Sequence, residues 1–465
     1  MTTNSYLSFS GKKILIAGAG VTGAASARAL RKRGADIQIV DENKADSAEF
    51  AIKKVGDLDI SQFDALLISP GWREDHPLVN AARSEEVPII NEIDLAWSLK
   101  PAGQKWLGLT GTNGKTSTVE LTAHMIRTGG HSAIACGNVG VTVIEAVESP
   151  EKYDYLVLEL SSFQLHWLED SNFVAGAILN IAEDHVTWHG TFDAYAAAKI
   201  SLLDKSTTAI LNGDDAEVVS RANHWLGKKV FFSLDTPAPG EIGIVEELLV
   251  DRAFVADPME ASMFCELADV TPTVPHNVAN ALAAAGLARV VGIAHEQIRE
   301  AIKSFTPGRH RIETVVKKDE ITWINDSKAT NPHAAAASIM SALSVIWIAG
   351  GLAKGATMSE LVARVKSRVR VAILIGEDRS LIADEIAIQA PEIEVVLIDP
   401  PADYGIGATS NSLMESVVHA AQLRAKSGDT VLLAPACASM DQFLSYVDRG
   451  DRFTKAVKKV INNEE

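Results

Sequence analysis

The sequence is poor in cysteine and has no long apolar run. Its three cysteines in 465 residues, Cys136, Cys265 and Cys437, are far apart and have no metal-ligand spacing. We therefore expect reduced, mostly buried thiols and a cytoplasmic location, rather than disulfides or a thiolate metal site. The segment from Met1 to Gly11 has no apolar core of a signal peptide. No apolar run approaches the roughly 20 residues that cross a bilayer, so we expect no membrane contact.

Positive charge is also scarce. The 43 lysines and arginines are outnumbered by 60 acidic residues, which gives a formal net charge of −17. A nucleic-acid-binding protein needs clustered cations for the phosphate backbone, so this balance excludes general nucleic-acid affinity. An anionic small ligand is still possible, because a few local cations and helix N-termini can hold one. Hydrophobic residues at 47% and charged residues at 22% are typical of a globular protein.

The clearest motif is the loop Gly111-Thr112-Asn113-Gly114-Lys115-Thr116, which lies between an apolar run and a helix-like run. Such a turn aims backbone N–H groups at a phosphate chain, while the lysine reaches the β- and γ-phosphates and the threonine hydroxyl holds Mg²⁺. The motif departs from the usual G-x-x-x-x-G-K-[ST] form, because Leu109 stands four residues before Asn113. The alternative is a chance glycine-rich turn.

The N-terminal segment has the pattern of a βαβ unit. An apolar strand, Lys12 to Ala17, precedes Gly18-x-Gly20-x-x-Gly23, a helical stretch and a second strand that ends at Asp41. This pattern fits the dinucleotide fingerprint. Three interpretations remain open: NAD(P) binding, a tight turn with no ligand, and a different diphosphate such as a UDP-linked ligand.

Strands and helices alternate along most of the chain, which predicts an α/β protein with mostly parallel sheets covered by helices on both faces. The length exceeds one ordinary core and suggests about three domains. A linker at Pro101 to Gln104 and a break at Phe305 to Arg311 place the domains at 1–100, 101–306 and 307–465.

Several polar residues follow predicted strands, where ligands of open α/β sheets bind. Glu159 ends one strand and could complete a Mg²⁺ shell begun by Thr116, or it could be a solvated carboxylate. Asp184-His185 follows another strand, and its histidine has a ligand and a structural interpretation. Lys199 lies on an alanine-rich helix, where the pattern alone favours a surface lysine.

Three loops of the last third also follow strands. Asn325 to Asn331 is almost entirely polar, which favours a binding loop over ordinary turns. Gly350 to Gly355 could offer Lys354 and free N–H groups to a carboxylate. Pro435 to Asp441 has the pattern of a helix N-terminus, which would also suit an anion. This part of the chain therefore contributes to a predicted active site.

Together these motifs resemble the Mur ligases, a family of three-domain, ATP-dependent acid–amine ligases of cytoplasmic peptidoglycan synthesis. The loop Gly111–Thr116 has the family's variant form. The loops Asn325–Asn331 and Pro435–Phe443 are similar to those of the branch that adds D-glutamate. The resemblance runs from about Gly18 to Phe453. It implies a Rossmann-like N-terminal domain for a UDP-sugar, a central P-loop ATPase-like domain, and a Rossmann-like C-terminal domain that binds D-glutamate and closes over ATP.

The implied reaction adds D-glutamate to UDP-N-acetylmuramoyl-L-alanine through an acyl phosphate and forms ADP and phosphate. This step would serve cell-wall synthesis, cell shape and division. The resemblance further implies two Mg²⁺ ions, a carbamate on Lys199 and a monomer that acts on small molecules.

The resemblance implies roles at matching positions. Lys115, His185, Lys199 and Lys328 would be catalytic. The metal ligands would be Thr116, Glu159, His185 and carbamylated Lys199. The implied ATP contacts are Gly111, Thr112, Asn113, Gly114, Lys115, Thr116, Asn277, Asn280, Arg311 and Asp326. The implied UDP-sugar contacts are Gly18, Thr22, Asp41, Ser69, Gly71, Asn138, Gln164 and His185. The implied D-glutamate contacts are Thr330, Lys354, Ser439 and Tyr446.

Two positions depart from the family pattern. Tyr446 stands where the family often has phenylalanine, and Glu42-Asn43 follows Asp41 where some relatives carry Thr-Arg. The alternatives to this function are another amide ligase, such as a folylpolyglutamate-type synthase, an NAD(P)-dependent oxidoreductase, and a non-catalytic nucleotide-binding protein. The oxidoreductase would change nicotinamide absorbance without using ATP, and the binding protein would release no phosphate with any amino acid.

Overall fold

The computed structural model describes residues 9–43, 49–56, 58–257, 259–401 and 411–462. The expectation for Met1 to Gly11 therefore falls mostly outside the described residues. The chain divides into two compact units, of which the first is Met1–Thr273 with Asn277–Phe305 and the second is Val274–His276 with Thr306–Glu465. The division into three domains stays a prediction.

The first unit begins with a parallel sheet whose described strands are ordered β3-β2-β1-β4-β5. Its strands are β1 (Lys13–Ala17), β2 (Asp36–Val40), β3 (Ile52–Lys53), β4 (Ala65–Ile68) and β5 (Ile89–Asn91), and its helices are α1 (Val21–Arg31), α2 (Pro77–Ser84) and α3 (Glu92–Leu99). The apolar residues of β1 and β4 are buried, as expected for strands covered on both faces. A Cβ atom at position 23 would lie 1.9 Å from the carbonyl oxygen of Gly18, so Gly23 permits the close approach of α1.

The same unit contains a larger sheet whose described strands are ordered β14-β13-β12-β11-β10-β9-β6-β8-β7. The strands are β6 (Lys105–Thr110), β7 (Ala133–Gly137), β8 (Tyr155–Glu159), β9 (Ala175–Ile178), β10 (Thr208–Asn212), β11 (Lys228–Phe232), β12 (Ile242–Val245), β13 (Leu248–Asp251) and β14 (Ser262–Glu266). The helices are α4 (Lys115–Thr128), α5 (Val143–Glu148), α6 (Ser162–His166), α7 (Val186–His189), α8 (Phe192–Ile200), α9 (Ala216–Ala222), α10 (Pro275–Val290) and α11 (His295–Ser304). The strands pair in parallel except for the meander β12–β13–β14.

Charged and polar contacts join the two sheets of the first unit. Arg28 on α1 bonds Glu145 on α5 at 2.9 Å, and the carboxylate of Glu92 accepts the backbone N–H of Ile144 at 2.5 Å. The buried carboxylate of Asp94 accepts several N–H and O–H groups from residues 169–171. These bonds span the boundary predicted at residue 100 and make one compact unit of both sheets.

The second unit is built on a sheet whose described strands are ordered β15-β16-β20-β17-β18-β19, with only β15 and β16 antiparallel among these pairs. Its strands are β15 (Glu313–Lys318), β16 (Ile321–Asn325), β17 (Val345–Gly350), β18 (Val369–Ile375), β19 (Glu394–Leu397) and β20 (Thr430–Leu433). Its helices are α12 (Pro332–Met340), α13 (Ser359–Val365), α14 (Arg379–Gln389), α15 (Ser412–Gln422) and α16 (Tyr446–Asn462).

The predicted α/β class with mostly parallel sheets is confirmed. The three cysteines are free and buried, which confirms the prediction of buried thiols. Within the described ranges, no helix is long and apolar enough to cross a bilayer. The prediction that Pro435 starts a helix is wrong. Residues 435–445 form turns and one bridge, from Ala438 to Leu352, and the next helix begins at Tyr446.

Candidate active site

The phosphate-type loop lies between β6 and α4, as the sequence predicts. Gly114 caps α4 with φ +84°, and a Cβ atom there would lie 2.4 Å from Oδ1 of the buried Asn280. A side chain at position 114 would therefore displace Asn280, which reaches the loop from α10. Asn277, one turn earlier on α10, donates its amide to the carbonyl of Pro272 at 3.1 Å.

Sequence reasoning missed Asn180, which holds this loop in shape. Its Oδ1 accepts the backbone N–H of Asn113 at 2.8 Å, and its Nδ2 donates to the carbonyl of Asn113 at 3.1 Å. The loop is tied further by the hydroxyl of Thr112, which donates to the carbonyl of Ala182 at 3.1 Å. The only sequence signal was the place of Asn180 just beyond β9, where polar residues gather at the sheet edge.

Two lysines meet at one carbonyl of the loop. Lys115 donates from Nζ to the carbonyl oxygens of Gly111 and Thr112 at 2.8 and 2.9 Å, and Lys199 donates to the same oxygen of Gly111 at 2.9 Å. The structure thus brings Lys199 from α8 into the predicted phosphate site. The pattern-based interpretation of Lys199 as a surface lysine is wrong, because only 2% of its surface is exposed.

The environment of Lys199 favours its uncharged form. Burial lowers the pKa of its amine well below the usual value, and the charge of Lys115 lowers it further, against the weaker opposing charges of Asp184 and Glu159. The ring of Tyr195 lies under the amine, with Nζ 4.7 Å from the ring centroid. A neutral amine is the nucleophilic form that combines with CO₂, so this side chain fits the expected carbamate.

Glu159 fits the expected metal. It ends β8 and is 3% exposed, and its Oε1 accepts the amide of Asn138 at 2.8 Å. Its Oε2 is buried and accepts no hydrogen bond from the described residues. A buried carboxylate oxygen without a donor suits a hard cation such as Mg²⁺. Within the described ranges no three His, Cys, Asp or Glu side chains cluster as metal ligands.

His185 lies just before the short helix α7. Its backbone has φ +53°, and its side chain is 45% exposed with Nε2 3.7 Å from Oδ2 of Asp184. His189, at the other end of α7, contacts the hydroxyl of Ser162 at 2.9 Å. Burial first, and then the charges of neighbouring histidines and Lys199, lower the pKa of His189 to about 4, so this imidazole is neutral at physiological pH.

The predicted UDP-sugar residues of the first sheet surround the loop after β1. The hydroxyl of Ser69 is buried and has no hydrogen-bond partner among the described residues. Asp41 accepts the backbone N–H of Ala19 at 2.7 Å through Oδ2 and that of Asn43 at 2.9 Å through Oδ1. Asp41 therefore shapes the glycine loop, whereas Ser69 Oγ is an unsatisfied group facing it. Thr22 lies in the first turn of α1, and Gly71 follows β4.

The other two predicted UDP-sugar residues on the larger sheet have structural contacts. Asn138 binds Glu159, as described above. Gln164 belongs to the capping box of α6, where its Oε1 accepts the backbone N–H and the hydroxyl of Ser161 at 2.9 and 3.0 Å.

In the second unit, a buried arginine that sequence reasoning missed joins the three predicted loops. The guanidinium of Arg449 donates to two oxygens of Ser327, the hydroxyl Oγ and the carbonyl, both at 3.0 Å. It also donates to the carbonyl of Cys437 at 3.1 Å and to that of Gly350 at 3.5 Å. Burial lowers its pKa to about 10, which still leaves it charged at neutral pH. The helical pattern around Arg449 gave no sign of these long-range contacts.

The predicted residues of this unit lie on or beside those loops. Lys328 places Nζ 4.2 Å from the ring centroid of Tyr446, within cation–π range. Ser439 is buried, and Lys354 is exposed with φ +52°. Thr330 follows Lys328 in the same loop, with its backbone N–H on the carbonyl of Lys328 at 2.8 Å.

Asp326 is a buried acid in the first of these loops. Burial raises its pKa to about 6, although the hydroxyl of Ser338, the backbone of Ile312 and the charge of Arg311 act in the opposite direction. Asp326 thus lies within the electrostatic influence of Arg311, and these are the two residues of this unit for which the family resemblance implies ATP contacts.

Comparison with protein families matches two parts of the chain. The Mur ligase middle domain matches residues 109–288, and the Mur ligase glutamate ligase domain matches residues 310–437. The first match contains the phosphate-type loop and Lys199, and the second contains the loops Asn325–Asn331 and Gly350–Gly355 and the beginning of the loop at Pro435.

Similar proteins cover almost the whole chain. A UDP-N-acetylmuramoylalanine–D-glutamate ligase of Thermobifida fusca is 44% identical over 96% of this chain and 98% of that protein. A ligase of the same name from Streptomyces coelicolor is 42% identical over 97% of this chain and 99% of its own.

Solved structures support the fold. A pseudomurein peptide ligase type C of Methanothermus fervidus matches 97% of this chain and 100% of its own with a TM-score of 0.60 at 19% identity. A MurF ligase of Thermotoga maritima in complex with ADP matches 99% of this chain and 97% of its own with a TM-score of 0.58 at 16% identity. The two domain matches and the full-length relatives at 42–44% identity establish that the chain belongs to the Mur ligase family.

Proposed function

We propose that this protein is an ATP-dependent ligase that joins D-glutamate to the L-alanine carboxylate of UDP-N-acetylmuramoyl-L-alanine. The observation that carries the proposal is the meeting of Lys115 and the buried Lys199 at the carbonyl of Gly111, inside a phosphate-binding loop. Full-length similarity to ligases named for this reaction supports the choice of substrates. The match of residues 310–437 to a glutamate ligase domain supports the choice of acceptor.

The reaction needs ATP because a carboxylate has no adequate leaving group. Transfer of the γ-phosphoryl group to the alanine carboxylate forms an acyl phosphate and ADP. The amine of D-glutamate then attacks the acyl carbon, the C–O bond to phosphate breaks, and the amine loses a proton. Phosphoryl transfer depends mainly on positioning and charge stabilisation, so the protein must bring two anions together.

The described residues supply this positioning. The N–H groups of residues 114–116 at the start of α4 would face the phosphates, since the N–H of Asn113 already donates to Asn180, and Lys115 would offset charge on the transferred group. His185, at the sheet edge, would contact the acyl phosphate oxygen. In the second unit, Lys328 and the loops joined by Arg449 would bind D-glutamate. Cations there would offset the negative charge of the two carboxylates of the acceptor.

Mg²⁺ and a carbamate on Lys199 complete the proposed site. Thr116 and the free oxygen of Glu159 would hold one ion, and His185 with modified Lys199 would hold a second. When bound, the ions neutralise charge on the phosphates. The lowered pKa of the buried Lys199 amine and the Glu159 oxygen that accepts no hydrogen bond from the described residues support these groups. We further propose a cytoplasmic monomer that acts in peptidoglycan synthesis, with the consequences for cell shape and division that this step has.

The direct test is identification of the product. The protein is incubated with ATP, Mg²⁺, UDP-N-acetylmuramoyl-L-alanine and D-glutamate, and the mixture is analysed by mass spectrometry. We expect a product equal in mass to both substrates less one water, which is absent when ATP is omitted and with Lys115→Ala. Formation of ADP without this product would contradict the proposed acceptor.

A further inference from the structure

Helix α7 follows His185 directly, yet it is not held by the hydrophobic core. It has four residues, Val186–His189, and none of them is buried. The backbone of His185 itself is in the left-handed region with φ +53°. This conformation costs free energy and persists only where surrounding contacts hold it. Polar and aromatic contacts at the surface must therefore determine where His185 lies.

Two hydrogen bonds connect α7 to the turn after β4, one in each direction. The indole N–H of Trp188 donates to the carbonyl of Gly71 at 3.0 Å, and the guanidinium of Arg73 donates to the carbonyl of Thr187 at 2.8 Å. The ring of Trp188 also packs on Phe163 of α6, with centroids 4.8 Å apart. Side-chain donors on both segments thus bind backbone carbonyls of the opposite segment.

The turn has a separate anchor to the larger sheet. The indole N–H of Trp167 donates to the carbonyl of Trp72 at 3.2 Å, and Trp167 is largely buried. The turn therefore keeps its place if its bonds to α7 are lost. In contrast, α7 has no buried side chain that would keep it in place. Loss of the two bonds should therefore shift α7 more than it shifts the turn.

We propose that Trp188 and Arg73 are positioning residues that fix His185 relative to the turn Ser69–Gly71. This inference rests on the proposed function, with Ser69 and Gly71 of the turn among the implied UDP-sugar contacts and His185 at the acyl phosphate that forms on the carboxylate of the substrate. The two bonds then set the spacing between the parts of the protein that hold the two ends of one substrate. Their role is to align the carboxylate with the phosphoryl donor, not to increase affinity.

The test uses Trp188→Phe, which keeps an aromatic ring beside Phe163 and removes the N–H donor together with the pyrrole part of the indole. A matched control is Trp225→Phe, which loses the same atoms, since the Trp225 side chain makes no hydrogen bond to the turn or to α7 among the described residues. We measure kcat and KM for phosphate release, the affinity for UDP-N-acetylmuramoyl-L-alanine by calorimetry without ATP or Mg²⁺, and the Tm. A misplaced reacting group lowers kcat by about tenfold, while affinity and KM stay within about twofold and Tm is retained.

A second variant, Arg73→Met, removes the donor on the opposite segment and should also lower kcat. Because both bonds fix the same helix, we expect the double variant to lose less than the product of the two single losses. An unchanged kcat for Trp188→Phe would overturn the inference, as would a loss confined to affinity or a loss that parallels a fall in Tm. Failure of the proposed function is distinguishable, because the unmodified protein would then release no phosphate with these substrates.

Discussion

Replacement of Glu92 by glutamine should make the protein more stable at alkaline pH. Glu92 begins α3, and its carboxyl group is 3% exposed against α5, where it accepts the N–H of Ile144. Burial raises its pKa from 4.5 to about 7, against the lowering effect of the accepted N–H groups. The folded protein therefore binds more protons than the unfolded chain between about pH 4.5 and 7, so stability is lost as pH rises through this window.

The size of the effect follows from the pKa difference. A rise of about 2.5 units corresponds to about 3 kcal/mol of lost stability above pH 7. Glu92→Gln keeps the carbonyl oxygen for the N–H of Ile144 and carries no charge. The Tm of the variant should match that of the parent protein near pH 5 and exceed it by about 3–6 °C at pH 9.

The assay is a series of thermal unfolding scans of both proteins from pH 5 to pH 9, with Glu92→Ala as the control. Alanine leaves the N–H of Ile144 without its acceptor and opens a cavity, so this variant should be less stable at every pH. Parallel curves of Tm against pH for the parent protein and Glu92→Gln would refute the reasoning, because they would show that the Glu92 carboxyl group has the same pKa in both states.

Three further predictions concern the site. Arg449→Met should raise the KM for D-glutamate at least about tenfold in the phosphate-release assay, because the three loops lose their common donor; an unchanged KM would show that the loops hold their own shape. Tyr446→Phe should keep activity within about twofold, since the ring face under Lys328 remains, whereas Tyr446→Ala should reduce it; equal loss in both would assign the role to the hydroxyl. Removal of CO₂ from the buffer should lower activity and bicarbonate should restore it, because the lowered pKa of Lys199 favours the uncharged amine that combines with CO₂; Lys199→Arg should be inactive and should not respond to bicarbonate.

Much of the fold could be predicted from the sequence because parallel strands are continuous apolar runs. Strand β1 begins one residue after the predicted Lys12, β2 ends one residue before Asp41, and β8 ends at Glu159 as predicted. The meander β12–β13–β14 was not predicted, since its short strands alternate weakly and pair with each other rather than through helices. Residues 435–445 were predicted wrongly as a helix start, because their conformation depends on Arg449 and on the bridge to Leu352, which local sequence does not encode.

The site residues, like the fold, could be predicted only where local sequence determines the conformation. The phosphate-type loop was predictable, since its glycines and lysine act through local backbone geometry. The importance of Lys199 was visible only through family resemblance, because its burial arises from the packing of α8 against the loop. Asn180 and Trp188 were missed because both act through long-range hydrogen bonds, which the local sequence around them does not encode.

The measurement that tests the central claim most directly is phosphate release from ATP in the presence of UDP-N-acetylmuramoyl-L-alanine with D-glutamate, L-glutamate or no amino acid. The account predicts release that requires the nucleotide sugar and is sustained only by D-glutamate. Equal release with L-glutamate would contradict the proposed acceptor. No release under any of these conditions, from folded protein with Mg²⁺ and bicarbonate, would contradict the ligase function itself.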